Sequence, residues 1–432
     1  MKSLRLGSAS WRRFIVSRRR GGSSRTVVER DVQRILASVR RDGDAALVRL
    51  TKKLDGVELT TRGLRAPARE VRQLARAADP ALVAALRAMA RQIEAFHTRQ
   101  GSRGFTLRAP DGSKLEERVL PIDSAGLYVP GGAGAYPSSV LMNAIPARVA
   151  GVSRIVVATP PRALESNPAI AAALVLLGLE ASVLRVGGAQ AIAALAYGTR
   201  AVSPVAKIVG PGNAYVAAAK RQVRGLVEID QEAGPSEVVI LADDSVSAAW
   251  VAADLLAQAE HGSGDEMVVL VTPSPALEAS VLRHLEDGVK NVANVAMARR
   301  ALRSGAVVRV VDLEAGVAAV NALAPEHAQI MTRGAARLAR RIVAGAVFVG
   351  RFAPVAAGDY GIGPSHVLPT NGAARFSSPL SVLDFQRRQS VISVTRRGLN
   401  RIANGVSAVA RAEGFPGHAR SVELRVSGVL DR

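Results

Sequence analysis

The stretch 237–271, EVVILADDSVSAAWVAADLLAQAEHGSGDEMVVLV, carries the fold in miniature. EVVILA (237–242) and EMVVLV (266–271) are short aliphatic, β-branched runs of strand length. Between them, SAAWVAADLLAQAE spaces its apolar residues three and four apart, the period of a helix with one buried face. Gly262 and Gly264 follow as a helix stop. A strand, a helix and a strand in succession predict neighbouring parallel strands joined by a crossover.

The same rhythm extends both ways. RIVVAT (154–159), SVLRV (182–186), AKIVG (206–210), AVVRVVD (306–312) and AVFVG (346–350) read as strands, with helical runs such as NAYVAAAKRQV and ALEASVLRHLED among them. Residues 27–100 read as helical, and GSRGFTLRAPDGSKLEERVLPID reads as a hairpin turning at DG. Beyond about 380 the rhythm breaks into a small α+β tail. The expected fold class is α/β: two similar, incomplete Rossmann-like parallel-sheet domains, a helical N-terminal segment and that tail. The expected division is an N-terminal arm (1–25), a helical segment (26–120) packing with 236–380 as the first α/β domain, a second such domain (121–235), and a tail (381–432).

Composition limits the function. With 48% hydrophobic and 22% charged residues, the chain reads as an ordinary globular protein. It has no cysteine, which excludes disulfides, thiolate metal sites and a cysteine nucleophile. The net charge of +21 is spread over scattered arginines, and aromatics make up only 3%, so no nucleic-acid partner is expected. The arm before Glu29 is rich in Arg and Ser, but no secretory h-region follows it. No membrane partner is expected, and the expected location is cytoplasmic.

Six histidines are present. His97 and His284 lie in helical runs and read as solvated. The other four keep acidic company: His261 follows Glu260, His327 follows Glu326, His366 lies seven after Asp359, and His418 lies five after Glu413. Each segment also carries Gly or Pro, which places it in a loop or at an element end. Together they suggest one convergent site, of a kind that suits a divalent metal held by N and O ligands, zinc first. GLYVPGGAG (126–134), RVGGAQAIAAL (185–195) and VGPGN (209–213) are glycine loops near element ends. They can turn helix N-termini toward phosphate, although the GxGxxG fingerprint is absent. In AGPSE, Ser236 stands just before a strand.

GLYVPGG, YPSSVLMNAIPA, GGAQAIAALAYGT, KIVGPGNAYVAAAKRQV, AGPSEVVILAD, DLLAQAEHG, APEH, GDYGIGPSHVLPT, ARFSSPLSV and AEGFPGHA, in that order, closely resemble the histidinol dehydrogenase family. The resemblance implies an NAD-dependent, zinc-containing homodimer, with one zinc per subunit. It would oxidise L-histidinol through the aldehyde to L-histidine, the last steps of histidine biosynthesis. It also implies Gln258, His261, Asp359 and His418 as zinc ligands, which hold the substrate as well. Glu326 and His327 would be the proton-transfer pair, His327 also touching substrate. Ser236, His366 and Glu413 would be substrate contacts, and Tyr128, Gln190 and Asn213 NAD contacts. Glu413 and His418 would reach the partner's site. Gln231-Glu232, Ser365 and Gly417 depart from the family's usual residues. The competing reading is a related zinc- and NAD-dependent dehydrogenase for another small alcohol, such as a sulfonated polyol.

Overall fold

The computed structural model describes residues 1–20, 25–131, 136–232 and 234–427. Residues 21–24 of the arm, 132–134 of the first glycine loop, Ala233 of AGPSE and the last five residues of the tail lie outside them. The strands are β1 (Lys2–Arg5), β2 (Phe105–Arg108), β3 (Lys114–Pro121), β4 (Ser124–Tyr128), β5 (Arg154–Thr159), β6 (Val183–Arg185), β7 (Lys207–Val209), β8 (Glu228–Ile229), β9 (Glu237–Ala242), β10 (Met267–Thr272), β11 (Ala306–Arg309), β12 (His327–Met331), β13 (Ala346–Val349) and β14 (Gln386–Ser393).

Two parallel sheets form, as the α/β pattern predicts. One runs β6-β5-β4-β7-β8 and the other β1-β11-β10-β9-β12-β13. Apart from β1, the orders are the same. Each sheet steps outward through three consecutive strands, then returns to place the fourth beside the first. That leaves a switch point between β4 and β7 in one sheet and between β9 and β12 in the other. Residues Val238–Ala242 are fully buried, because helices cover both faces and the strand has no solvent side.

The N-terminal segments correct the expected packing. Helices Arg25–Asp42, Ala68–Ala75 and Pro80–His97 do not join the 236–380 sheet. Val32, Leu36 and Val39 pack with Ile192, Leu195 and Ile208, and Val71, Leu86 and Ile93 pack with Val140, Ile145 and Leu174. It is residues 1–20 that join the 236–380 sheet. β1 pairs in parallel with β11, and Trp11 and Phe14 of helix Ala9–Arg20 are buried against Val269, Val308 and Val320. Periodicity shows that a helix has a buried face but does not name the sheet that covers it. His97 is also corrected. It is fully buried, its Nδ1 2.6 Å from Gln100 Oε1, whereas His284 is exposed.

A second compact unit comprises 101–121 and the chain from 386 onward. β2 and β3 form the antiparallel hairpin, with Gly112 at φ 85 in its turn and Asp111 Oδ1 accepting the Ser113 N–H at 2.9 Å. β14 adds to β3 over eight residues. Helices Arg396–Ala412 and Pro416–Val426 pack on each other. No described helix is long and apolar enough to cross a membrane.

Candidate active site

The amino ends of β9 and β12 are neighbours, with His327 opposite Val238. Ser236 and Glu237 enter from one strand, Glu326 and His327 from the other. Buried N–H groups at a sheet edge need partners, and here they serve each other. The Glu237 N–H donates to Glu326 Oε2 at 2.8 Å, and the Glu326 N–H donates to Glu237 Oε2 at 3.1 Å. The Ser236 side chain also hydrogen-bonds the Glu326 carboxyl. Burial pushes Glu326 well above the ordinary carboxylate range, and the negative charges of Glu237 and Asp359 add to the effect.

Three histidines share one arrangement. His327 Nδ1 lies 2.9 Å from the Glu237 carbonyl, His261 Nδ1 3.1 Å from the Ala257 carbonyl, and His366 Nδ1 3.3 Å from the Asp359 carbonyl. A carbonyl only accepts, so each Nδ1 carries a proton, which in a neutral ring leaves the lone pair on Nε2. His327 Nε2 is 4.0 Å from Asp359 Oδ1. Burial lowers both His327 and His366 to about 4, and the neighbouring His261 adds to both shifts. Both rings are therefore neutral near pH 7. Asp359 is raised to about 6, mainly by burial, while His261 pulls it down.

Gln258 is buried on helix Ala248–Ala259, one turn before His261, and its amide Nε2 has no hydrogen-bond partner. Amide N and O are interchangeable in assignment, so an oxygen can face the same point. An unsatisfied buried amide, an imidazole whose Nδ1 alone is hydrogen-bonded to a carbonyl and a partly buried carboxylate are N/O donor types that fit zinc. No group of three His, Asp or Glu side chains among the described residues is placed to hold a metal. Gln258 lies outside such a group, which leaves only His261 and Asp359 of that type among the three.

Two glycine loops lie at the opposite, carboxyl edge of the other sheet, after β6 and β7, where doubly wound sheets bind ligands. Helices Gly188–Tyr197 and Ala214–Val223 start there. Gly210 has φ 115, and a Cβ on it would sit 2.2 Å from the Tyr128 carbonyl. Tyr128 is buried, and its hydroxyl accepts the Gly188 N–H at 3.0 Å. The β4 end therefore touches both loops. Asn213 Oδ1 caps its helix through the N–H groups of Tyr215 and Val216, at 3.0 and 3.1 Å. Gln190 is buried with its Oε1 unpartnered, and its Nε2 reaches Asp55 Oδ2 at 3.4 Å. Such close backbone and orphaned donor-acceptor groups fit a dinucleotide.

Glu413 and His418 belong to the second unit. Glu413 caps helix Arg396–Ala412 and His418 lies in the first turn of the next helix. Both are exposed, with the His418 ring 5.3 Å from that of Phe415. Three of the unusual residues have structural partners: Gln231 Nε2 donates to the Leu368 carbonyl at 2.5 Å, Glu232 accepts from Arg221 at 2.6 Å, and Ser365 Oγ accepts the Val367 N–H at 3.2 Å. Sequence reading missed Glu237 and Asp55. The signal for Glu237 was a charged residue opening an otherwise apolar strand.

The family profile for histidinol dehydrogenase matches residues 18–426. Histidinol dehydrogenase of Bradyrhizobium diazoefficiens is 47% identical over 402 residues, covering 93% of each chain. That of Geobacillus kaustophilus is 46% identical over 422 residues, covering 95% of this chain and 99% of the relative. The crystal structure of histidinol dehydrogenase from Elizabethkingia anophelis superposes with a TM-score of 0.90 at 32% identity, covering 99% of this chain and 98% of that one. With a matching profile and full-length relatives of this similarity, the chain belongs to the histidinol dehydrogenase family.

Proposed function

We propose that this chain oxidises L-histidinol to L-histidine through histidinal, with two NAD⁺ reduced. The observation that carries this reading is the buried Glu326–His327 pair with Asp359 and His261 beside it. Full-length similarity to histidinol dehydrogenases favours histidinol over another small alcohol.

NAD⁺, when bound, supplies the hydride acceptor, and Tyr128, Gln190 and Asn213 would hold it. Zinc, held by Gln258, His261, Asp359 and His418 of the partner subunit, would supply a redox-silent Lewis acid for fixing the substrate's nitrogens. The fitting assembly is a cytoplasmic homodimer in which Glu413 and His418 complete the opposite site.

The chain's own residues then move protons. His327 is neutral near pH 7, so its Nε2 takes the hydroxyl proton of histidinol while the carbon's hydrogen leaves as hydride. The aldehyde has no cysteine to attack it, so it is hydrated. Glu326 takes a proton from water as the oxygen adds to the carbonyl; its raised pKa makes it the stronger base once ionised. His327 gives its first proton to the carbonyl oxygen as the hydrate forms, then takes a second from the hydrate as the second hydride leaves, giving the carboxylic acid. Ser236 and His366 line this pocket as substrate contacts.

The test is product analysis with purified protein and NAD⁺. Histidine should form from histidinol, with kcat/KM exceeding that for sulfonated polyols by about a hundredfold or more. A preference for the polyol, or no histidine, overturns the reading.

A further inference from the structure

Glu237 sits at the centre of the hydrogen bonds around the catalytic pair. Its carboxyl group accepts the N–H of Glu326 through Oε2 at 3.1 Å and the N–H of Asn371 through Oε1 at 3.0 Å. Its main-chain carbonyl takes the Nδ1–H of His327 at 2.9 Å. Glu237 is buried, as are Glu326 and His327. Asn371 stands in the left-handed region at φ 57, a conformation that needs support, and it ends the loop carrying His366. One residue therefore ties together the two strand starts and that returning loop.

The chemistry of the tie is specific. A carboxyl group offers two acceptor oxygens, one to each N–H, whereas its amide isostere offers only one. In Glu237→Gln, either Glu326 or Asn371 must face an amide NH₂ with its own N–H, leaving a buried donor unpaired. The Glu237 main chain reaches both residues, its N–H the Glu326 carboxyl and its carbonyl His327, and no side-chain substitution removes either bond; the side chain adds the hold on the Glu326 main chain alone.

Resting on the function proposed above, we infer that Glu237 is a positioning residue for the second oxidation: its carboxyl group keeps Glu326 where that residue can take a proton from the hydrating water. The first oxidation depends on His327 and is held by the main chain, so it depends far less on this side chain.

The experiment uses full-length, metal-replete Glu237→Gln, Glu237→Asp, Glu326→Gln and the Glu237→Gln/Glu326→Gln double variant. Rates are measured separately from histidinol and from histidinal, with aldehyde trapping, KM, metal content and Tm. Glu237→Gln should slow histidinal oxidation by about ten- to a hundredfold, the cost of a misplaced catalytic group. Histidinol oxidation should change less than about threefold, KM should hold, and trapped aldehyde should appear. In the Glu326→Gln background the same substitution should cost nothing further, because both act through one group. If Glu237→Gln does not fold, Glu237→Asp, which keeps both acceptor oxygens on a shorter arm, should show the same skew more weakly. Equal loss in both halves, or full additivity with Glu326→Gln, overturns the inference. A wild-type chain that makes no NADH from histidinol would instead strike at the proposed function.

Discussion

His327 directs Nε2 toward Asp359, 4.0 Å from Oδ1, because its other ring nitrogen is committed to a main-chain carbonyl. This separates two jobs within a few ångströms: His327 keeps a free base, while Asp359 joins Gln258 and His261 in the candidate donor set. His327→Asn should therefore lower kcat by about 10²- to 10⁴-fold, the range for losing a general base, while metal content stays near that of the wild type. His261→Asn should lower the metal content itself. Elemental analysis beside steady-state kinetics checks both, and equal metal loss in the two variants would contradict the division.

The loop between β7 and its helix rests on a buried ion pair. Lys220 and Asp230 are almost wholly inaccessible and bonded to each other. Lys220 Nζ also donates to the Gly210 carbonyl at 3.0 Å, and Asp230 Oδ2 accepts the Gly210 N–H at 2.8 Å. Lys220→Met leaves a carboxylate buried without its partner, which should cost about 3–5 kcal/mol. Thermal unfolding should show a lowered Tm, with part of it regained in Lys220→Met/Asp230→Leu. An unchanged Tm in the single variant would contradict this account of the loop.

Glu237 also gives the fold a pH signature. Burial raises its carboxyl to about 7, from an ordinary 4.5. A group that binds its proton more tightly when folded contributes stability below the unfolded value and loses it as pH climbs through the folded one. Glu237→Gln has no such titration. Wild-type stability relative to this variant should therefore fall between about pH 4.5 and 7 and level off above. His327 and His366 shift in the opposite sense, but they are common to both chains and cancel in the difference. Denaturant unfolding across this window checks it, and a flat difference contradicts it.

If His418 serves the opposite subunit, two inactive variants can repair each other. Mixed His327→Asn and His418→Asn chains, allowed to exchange subunits, would form hybrids with one doubly altered site and one intact site. Activity should return on mixing and track the fraction of hybrid dimer. No recovery, despite hybrids seen by native mass spectrometry, would place His418 in its own subunit's site.

Much of this was legible beforehand. Val238–Leu241 and Val268–Val271 are buried on both faces, and such strands announce themselves as continuous aliphatic runs. β4 runs into a glycine loop that masks it in the sequence, and β12 carries no strand signal because APEHAQIM mixes polar residues into a fully buried strand. Those polar residues are site chemistry and buried hydrogen bonding, such as Gln329 Nε2 to Asp254 Oδ2 at 2.7 Å. Long-range packing was the other blind spot. An amphipathic stripe fixes that Val32, Leu36 and Val39 are covered, yet which sheet covers them depends on contacts more than a hundred residues away. The site histidines were visible through their acidic neighbours, while Glu237 was not, since its partners, Glu326 and Asn371, come from distant segments.

The most direct measurement is the number of NADH formed per histidinol consumed by the purified protein, followed to completion with limiting histidinol. Two, with histidine as the end product, is the predicted result. One, with the aldehyde accumulating in the wild-type chain, would contradict a site that carries one substrate through both oxidations.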